Sequence, residues 1–415
     1  MGNILELDHV TEKVTETGTA DNDSIMYAAS GMKGWRVTME DAHACAGSIP
    51  VDNPKGDPVV LSDHSLFAVF DGHGGSLTSE LAGENFLRLF SARTELRKYV
   101  NLAAEGSKGR SDVTGIDLLR GALKGTFVDL DSELFDVQKE KNEQYRKEEA
   151  KEETPEGEGG GDEVNKRRLE RSGSTCVAVL ITPSHIICAN AGDSRAILRR
   201  DGRSFPLSFD HKPSNLPEQE RISSAGGFVK AKRVDGDLAV SRGLGDFGFK
   251  SQSELPMHKQ KVIVDPDILI YPRDVAKDEF VLLACDGVWD VANNDQCGDL
   301  IQKILDEGET DVGLICEEML DTCLEKNSRD NMTIIMVCFP ALQLVKEEDQ
   351  RNAVEARRKI RHARLLEAQA KAAAQTAADG VGIALGMNSP KSGAKETQGT
   401  PVLLPQAEQP VVHAT

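Results

Sequence analysis

FAVFDGHGG, residues 67–75, is the stretch on which the fold turns. Phe67 to Phe70 are apolar and read as a buried strand that stops at Asp71, Gly72 and His73, with Gly74 and Gly75 opening a helix. A carboxylate, a flexible backbone and an imidazole therefore meet at a strand end. Asp followed by Gly is also a common hairpin turn, so this stretch alone carries no chemistry. It gains weight because three further apolar segments break at an aspartate: NAGDSR (Asn190–Arg195), ACDGVWDV (Ala284–Val291) and SRDNMT (Ser328–Thr333).

Length and charge bound the answer. A chain of 415 residues holds two or three domains, or one large domain with appendages. A net charge of −19 argues against a sequence-independent hold on nucleic acid, which needs an excess of Lys and Arg. Such a protein handles phosphate through a metal or a few placed arginines. MGNILELDHV has neither the basic start nor the apolar core of a secretory signal, and no apolar run approaches the roughly 20 residues of a membrane helix. Gly2 raises N-myristoylation, but Glu6 stands where that motif wants Ser or Thr, so acylation is not expected. Eight cysteines occur without a CxxC pair, and Cys176, Cys188, Cys285 and Cys338 sit in strand-like apolar runs. They read as reduced thiols of a cytosolic protein, with the nucleus as a second compartment and neither a disulfide nor a zinc framework expected.

Along the chain, residues 1–24 read as a polar leader, and Ile25 to Ser30 as the first strand. WRVTMEDAHACA (Trp35–Ala46) crowds Arg36, Glu40 and Asp41 among apolar partners. Leu77, Leu81, Phe86 and Leu89 mark one helix, and Ile116, Leu119, Leu123, Phe127, Leu130 and Leu134 a second. From Gln138 to Arg171 the composition turns charged and Gly-rich and reads as a disordered acidic insertion. Strands resume at Ser172–Thr182 and His185–Asn190, as in an antiparallel layer. Phe228 to Met257 reads as a flap beside the site. Val262–Val264, Ile268–Tyr271, Phe280–Ala284 and Met332–Phe339 are further strands, and Asp295–Leu305 and Asp311–Leu324 are helices. The main domain spans residues 25–340. Residues 341–378 read as a solvated helical extension, basic in part, and 379–415 as a disordered tail.

Asp71, Asp193 and Asp286 follow strands, whereas Asp330 precedes one. If the last strand runs antiparallel to those ending at Asp71 and Asp286, all four carboxylates collect at one rim, with Glu40 and Asp41 nearby. So many like charges need compensation, and divalent cations supply it. An all-oxygen set including the Gly72 carbonyl suits Mg²⁺ or Mn²⁺. Two such ions about 3.5–4 Å apart would hold a hydroxide nucleophile for in-line displacement at phosphorus. Arg36 would clamp phosphate oxygens and His73 would protonate the departing oxygen.

In these residues the chain resembles the PP2C (PPM) family of metal-dependent serine/threonine protein phosphatases. The carriers are RVTMEDAH (Arg36–His43), VFDGHGG (Val69–Gly75), SGSTCV (Ser172–Val177), NAGDSR, DHKP (Asp210–Pro213), VSRGLGD (Val240–Asp246), ACDGVWDV and SRDNMT, in the family's order. The resemblance implies an α+β fold of four layers, αββα, in which a central antiparallel β-sandwich is flanked by helices. It implies that Asp71, Gly72, Asp286 and Asp330 hold two ions, with Glu40 and Asp41 binding largely through waters. Asp193, with Asp286, is implied in a weaker third ion, and Asp290 stands beside them without a fixed role. Arg36 matches the phosphate-binding arginine and His73 the general acid.

The function expected is hydrolysis of phosphoserine and phosphothreonine in signalling phosphoproteins, by a monomeric chain. A catalytically silent phosphatase-like binding module is the alternative; it would have lost one of Asp71, Asp286 or Asp330, and none is lost. A two-metal nuclease is disfavoured by the acidic balance and the lack of a basic aromatic groove.

Overall fold

The strands of this chain read as continuous apolar runs because both faces of each central strand are covered. The computed structural model describes residues 10–20, 25–52, 59–102, 111–152, 169–342, 344, 354–364, 366–367 and 370. In chain order the strands are β1 (Val10–Thr19), β2 (Met26–Gly34), β3 (Ala42–Ala46), β4 (Ile49–Val51), β5 (Val59–Leu61), β6 (Ser65–Phe70), β7 (Gly72–His73), β8 (Gly173–Ser174) and β9 (Cys176–Ile181). They continue with β10 (His185–Ala191), β11 (Arg195–Arg200), β12 (Arg203–Pro206), β13 (Val229–Lys230), β14 (Arg233–Val234), β15 (Leu244–Gly245), β16 (Asp267–Pro272), β17 (Asp278–Ala284) and β18 (Met332–Cys338).

One sheet has the order β1-β2-β18-β17-β11-β12 and the other β16-β10-β9-β6-β3, every neighbouring pair antiparallel. Side chains alternate between faces along a strand. Thus Ala29, Leu283, Ile335 and Val337 of the first sheet meet Phe67, Val69, Val177 and Val179 of the second in a core between the sheets. The alternate residues Leu282, Ala284, Ile334 and Met336 pack outward against the helices Asn294–Asp306 and Val312–Glu325. On the other side, Leu66, Ala68 and Phe70 pack against α1 (Leu77–Ser91), α2 (Thr94–Leu102) and α3 (Val113–Glu152). An edge-to-face ladder of Phe70, Phe86 and Phe127, with centroids 5.7 and 5.6 Å apart, ties β6 to α1 and α3. This is the four-layer αββα arrangement. All eight cysteines are free thiols, and only Cys45 is less than buried. Among the described residues no helix is long and apolar enough to cross a membrane.

Three stretches depart from the sequence reading. Residues 10–19, taken as leader, form β1, an edge strand on β2. Its Val and Thr residues favour the pleated backbone, its glutamates suit an exposed edge and Lys13 is paired with Asp321, so polarity hid a strand. The supposed insertion is helical as far as Glu152, because α3 continues through it; residues 153–168 lie outside the described residues. Glu, Lys, Gln and Arg are strong helix formers, and extending an already nucleated helix needs no apolar face. Asn142 then clamps the returning chain: its amide donates to the Glu170 carbonyl at 3.0 Å, and the Glu170 N–H donates to its oxygen at 2.6 Å. Finally, the helical residues 354–364 are not a solvated basic helix. Val354 is buried, Arg357 pairs with Glu318 at 2.7 Å, Arg358 with Glu309 at 2.9 Å and Arg361 with Asp321 at 3.0 Å. The first compact unit runs to Ala368, and the 379–415 tail lies outside the described residues. A smaller difference concerns Val262–Val264, which carry only a single bridge, Ile263 to Arg242, in place of a strand.

Candidate active site

Strand ends build the site. β6 and β10 of one sheet and β17 of the other run out at the same end of the sandwich, where β18 begins, so Asp71, Asp193, Asp286 and Asp330 arrive together between the sheets. The Asp286 N–H donates to Asp71 Oδ2 at 3.3 Å, joining residues 215 apart in sequence. Asp71, Asp193 and Asp286 each bring an oxygen within 4.8 Å of the others. Asp41 joins from the β3 side, its carboxylate accepting from Thr333 Oγ1 at 2.8 Å.

Several members of the set have partners of their own. Asp330 pairs with Arg36 Nη2 at 2.5 Å. The Glu40 carboxylate accepts from Thr38 Oγ1 at 2.8 Å and from the Gly75 N–H at 3.2 Å. Asp193 is ion-paired with Lys212, from the DHKP stretch. Asp290 lines the cleft. Gly72 is required sterically as well as chemically, because a Cβ there would collide with the Glu40 carbonyl and with Ser79 Oγ.

Burial, then mutual repulsion, governs the protonation of this cluster. Burial pushes Asp41 up to about 6, despite its bond from Thr333. Asp286 rises to about 8 through burial and then the charges of Asp193, Asp330 and Asp290. Asp71 is held well above the ordinary carboxylate range by burial and then by Asp286, Asp41 and Asp193. Cys285 also comes within 4.8 Å of Asp41 and Asp71. Burial and those same carboxylates raise its thiol well above the usual value, and it donates to the Asn331 carbonyl at 3.5 Å while accepting from the Thr333 N–H at 3.1 Å. A neutral, doubly bonded thiol leaves an oxygen donor set, which fits a hard divalent cation.

These shifts make a pH prediction. The metal-free fold holds protons that the unfolded chain releases, so its stability falls as pH rises from about 4 to about 8. Cations bind the deprotonated carboxylates, so the rise in melting temperature on adding Mn²⁺ should grow between about pH 5.5 and pH 8. Thermal melts across that range check this, and a shift independent of pH would contradict it.

His73 reveals a partner that the sequence reading missed. Its Nε2 lies 2.8 Å from Asp246 Oδ2. Burial disfavours the imidazolium, but the charge and hydrogen bond of Asp246 outweigh it, and the His73 pKa is raised. Asp246 is nearly buried and sits in the left-handed region at φ 52°. A small sheet holds the pair together, since β8 runs between β7 and β15 with His73 opposite Gly173 and Gly173 opposite Gly245. The only local signal for Asp246 was its place in VSRGLGD.

Arg36, Glu40, Asp71, Gly72, His73, Asp193, Asp286 and Asp330 all line one cleft of about 1440 Å³. Its rim includes Phe135, Lys139, Asn142 and Arg146 of α3, and Arg233 and Phe247 from the 228–257 region.

Comparison with known proteins identifies the family. The sequence model of the family described as protein phosphatase 2C matches residues 25–332. Protein phosphatase 1A of Mus musculus is 36% identical over 333 residues, covering 80% of this chain and 75% of that protein. Protein phosphatase 1B of Bos taurus is 34% identical over 345 residues, covering 83% of this chain and 62% of that one. Among solved structures, a serine-threonine phosphatase 2C from Toxoplasma gondii shares the fold, with a TM-score of 0.58 at 20% identity over 79% of this chain and 99% of its own. Another phosphatase from Toxoplasma gondii superposes with the same TM-score, 0.58, at 24% identity over 81% of this chain and 97% of its own. By sequence, fold and the converging carboxylates, this chain belongs to the protein phosphatase 2C family of metal-dependent serine/threonine protein phosphatases.

Proposed function

We propose that the chain hydrolyses phosphoserine and phosphothreonine on proteins at a pair of divalent cations, Mg²⁺ or Mn²⁺. Asp71, Asp286, Asp330 and the Gly72 carbonyl hold the pair, with Glu40 and Asp41 beside it and Asp193 toward a weaker third ion. The observation that carries this reading is the convergence of Asp71, Asp193 and Asp286 within 4.8 Å on the cleft that also contains Arg36 and His73. When bound, such ions activate water at neutral pH and offset the charge of the phosphoryl group.

The chain's own residues do the rest. Arg36 clamps phosphoryl oxygens with its planar guanidinium, and its bond to Asp330 restrains an otherwise half-exposed side chain. His73 gives a proton to the departing serine or threonine oxygen. With Nε2 committed to Asp246, Nδ1 is the nitrogen that serves the leaving group, and the carboxylate favours the charged ring against its burial. Asp246 is thus a positioning residue.

Turnover of a phosphopeptide and of an activated aryl phosphate, each with Mn²⁺ and after chelation, tests this. Chelation should abolish both activities; absence of any activity with metal would support a silent module. His73→Gln should slow the phosphopeptide by about 10²–10⁴ and the aryl phosphate, whose leaving group needs no proton, far less. Equal losses on both substrates would remove His73 from the role of acid.

A further inference from the structure

A second donor cluster lies away from the cleft, at the open edge of the sandwich. β1 and β3 are the edge strands of the two sheets. Glu16 of β1 stands opposite Ala29, and His43 and Cys45 of β3 stand opposite Val69 and Phe67. Ala29, Val69 and Phe67 all belong to the core between the sheets, so the three polar side chains point into the same gap. His43 Nε2 is 3.2 Å from Glu16 Oε1, and the His43, Cys45 and Glu16 donor atoms lie within 4.8 Å of one another.

We propose that Glu16, His43 and Cys45 bind one zinc ion that staples the edge strands of the two sheets together. One sulfur, one imidazole nitrogen and one carboxylate oxygen are a zinc donor set. Ligand atoms about 2.0–2.3 Å from a tetrahedral ion lie roughly 3.3–3.8 Å apart, so the cluster closes onto an ion with an edge-strand adjustment of up to about 1.5 Å. The Glu16 side chain is 54% exposed and His43 25%, which leaves the fourth position open to water. Hard cations such as Mg²⁺ do not select thiolate and imidazole, so this site and the carboxylate cleft divide metals by softness.

Binding expels the Cys45 proton to solvent, and the S–H bond is replaced by S–Zn. Without an ion, burial and the Glu16 charge keep this thiol protonated and bonded to Glu16. The competing account is that Glu16 is an inward-pointing edge charge that discourages sheet-to-sheet association, with His43 as its ion pair.

Cobalt is the probe, because a thiolate-bound cobalt ion shows a near-ultraviolet charge-transfer band that an oxygen-only site lacks. The full chain, stripped by chelation, should bind one such cobalt and release it to one equivalent of zinc. Cys45→Ser should lose the band, whereas Cys285→Ser, which alters the thiol beside Asp41 and Asp71, should keep it. Glu16→Gln, an exposed change that leaves folding alone, should weaken cobalt binding by at least about tenfold. Zinc should raise the melting temperature of the parent chain and not of Cys45→Ser. Phosphatase activity with Mn²⁺ should be unchanged in Cys45→Ser and Glu16→Gln. A parent chain without the band, a band that survives Cys45→Ser or disappears in Cys285→Ser, or unaltered affinity in Glu16→Gln overturns the proposal.

Discussion

Asp286→Ala is expected to lower kcat on phosphopeptides by about three orders of magnitude. Losing one ligand forfeits several kcal/mol of charge stabilisation at phosphorus, and each 1.36 kcal/mol is about a tenfold change in rate. The fold should survive. The backbone N–H that holds Asp71 Oδ2 at 3.3 Å is kept by alanine, and a buried carboxyl crowded by Asp193, Asp330 and Asp290 is removed. The metal-free variant should therefore melt no lower than the metal-free parent. Steady-state kinetics at saturating Mn²⁺ together with thermal melts read both outcomes. Undiminished kcat would detach Asp286 from the reaction, and a collapsed variant would show that its carboxylate serves the fold.

Asp131→Ala is expected to cost about 3–5 kcal/mol of stability, because it strands a buried ammonium. Asp131 Oδ1 accepts from Lys250 Nζ at 2.7 Å and from the Gly245 N–H at 2.8 Å, with the two side chains 1% and 8% exposed. Lys250 Nζ also donates to the Gly243 carbonyl at 2.8 Å, so one ion pair fixes the turn that carries Asp246. Burial still raises the Asp131 pKa, which marks the pair as costly to desolvate. The double change Asp131→Leu with Lys250→Met should consequently recover most of the loss, and the two single effects should not add. Denaturant unfolding in Mn²⁺ measures this, and a single-variant cost under about 1 kcal/mol would refute it. The same Asp131→Ala chain should turn over phosphopeptides more slowly than aryl phosphates, since Asp246 and His73 lose their fixed register.

The parts of the molecule that were legible in the sequence are those with a local signature. Phe67–Phe70, Phe280–Ala284 and Met332–Phe339 announce strands covered on both faces, and the α1 and α3 stripes announce helices with one covered face. β1 was not legible because an edge strand of Val, Thr and Glu looks like a polar leader. The second half of α3 was not, because low apolar content argues against a core and says nothing about continuing a helix. The arginines of residues 354–364 looked solvated because their partners, Glu309, Glu318 and Asp321, lie about forty to fifty residues upstream.

By itself the sequence determined which apolar segments are the central strands and that four of them meet an aspartate at a terminus, because apolar runs and their breakers act within a few residues. Only the tertiary structure decided that those ends coincide, that Asp246 belongs to His73 and that Glu16 faces Cys45. Each of these depends on the register of one strand on another and on the stacking of two sheets. That stacking is driven by burying alternate faces of many strands at once, a sum over the whole sandwich that no single stretch records.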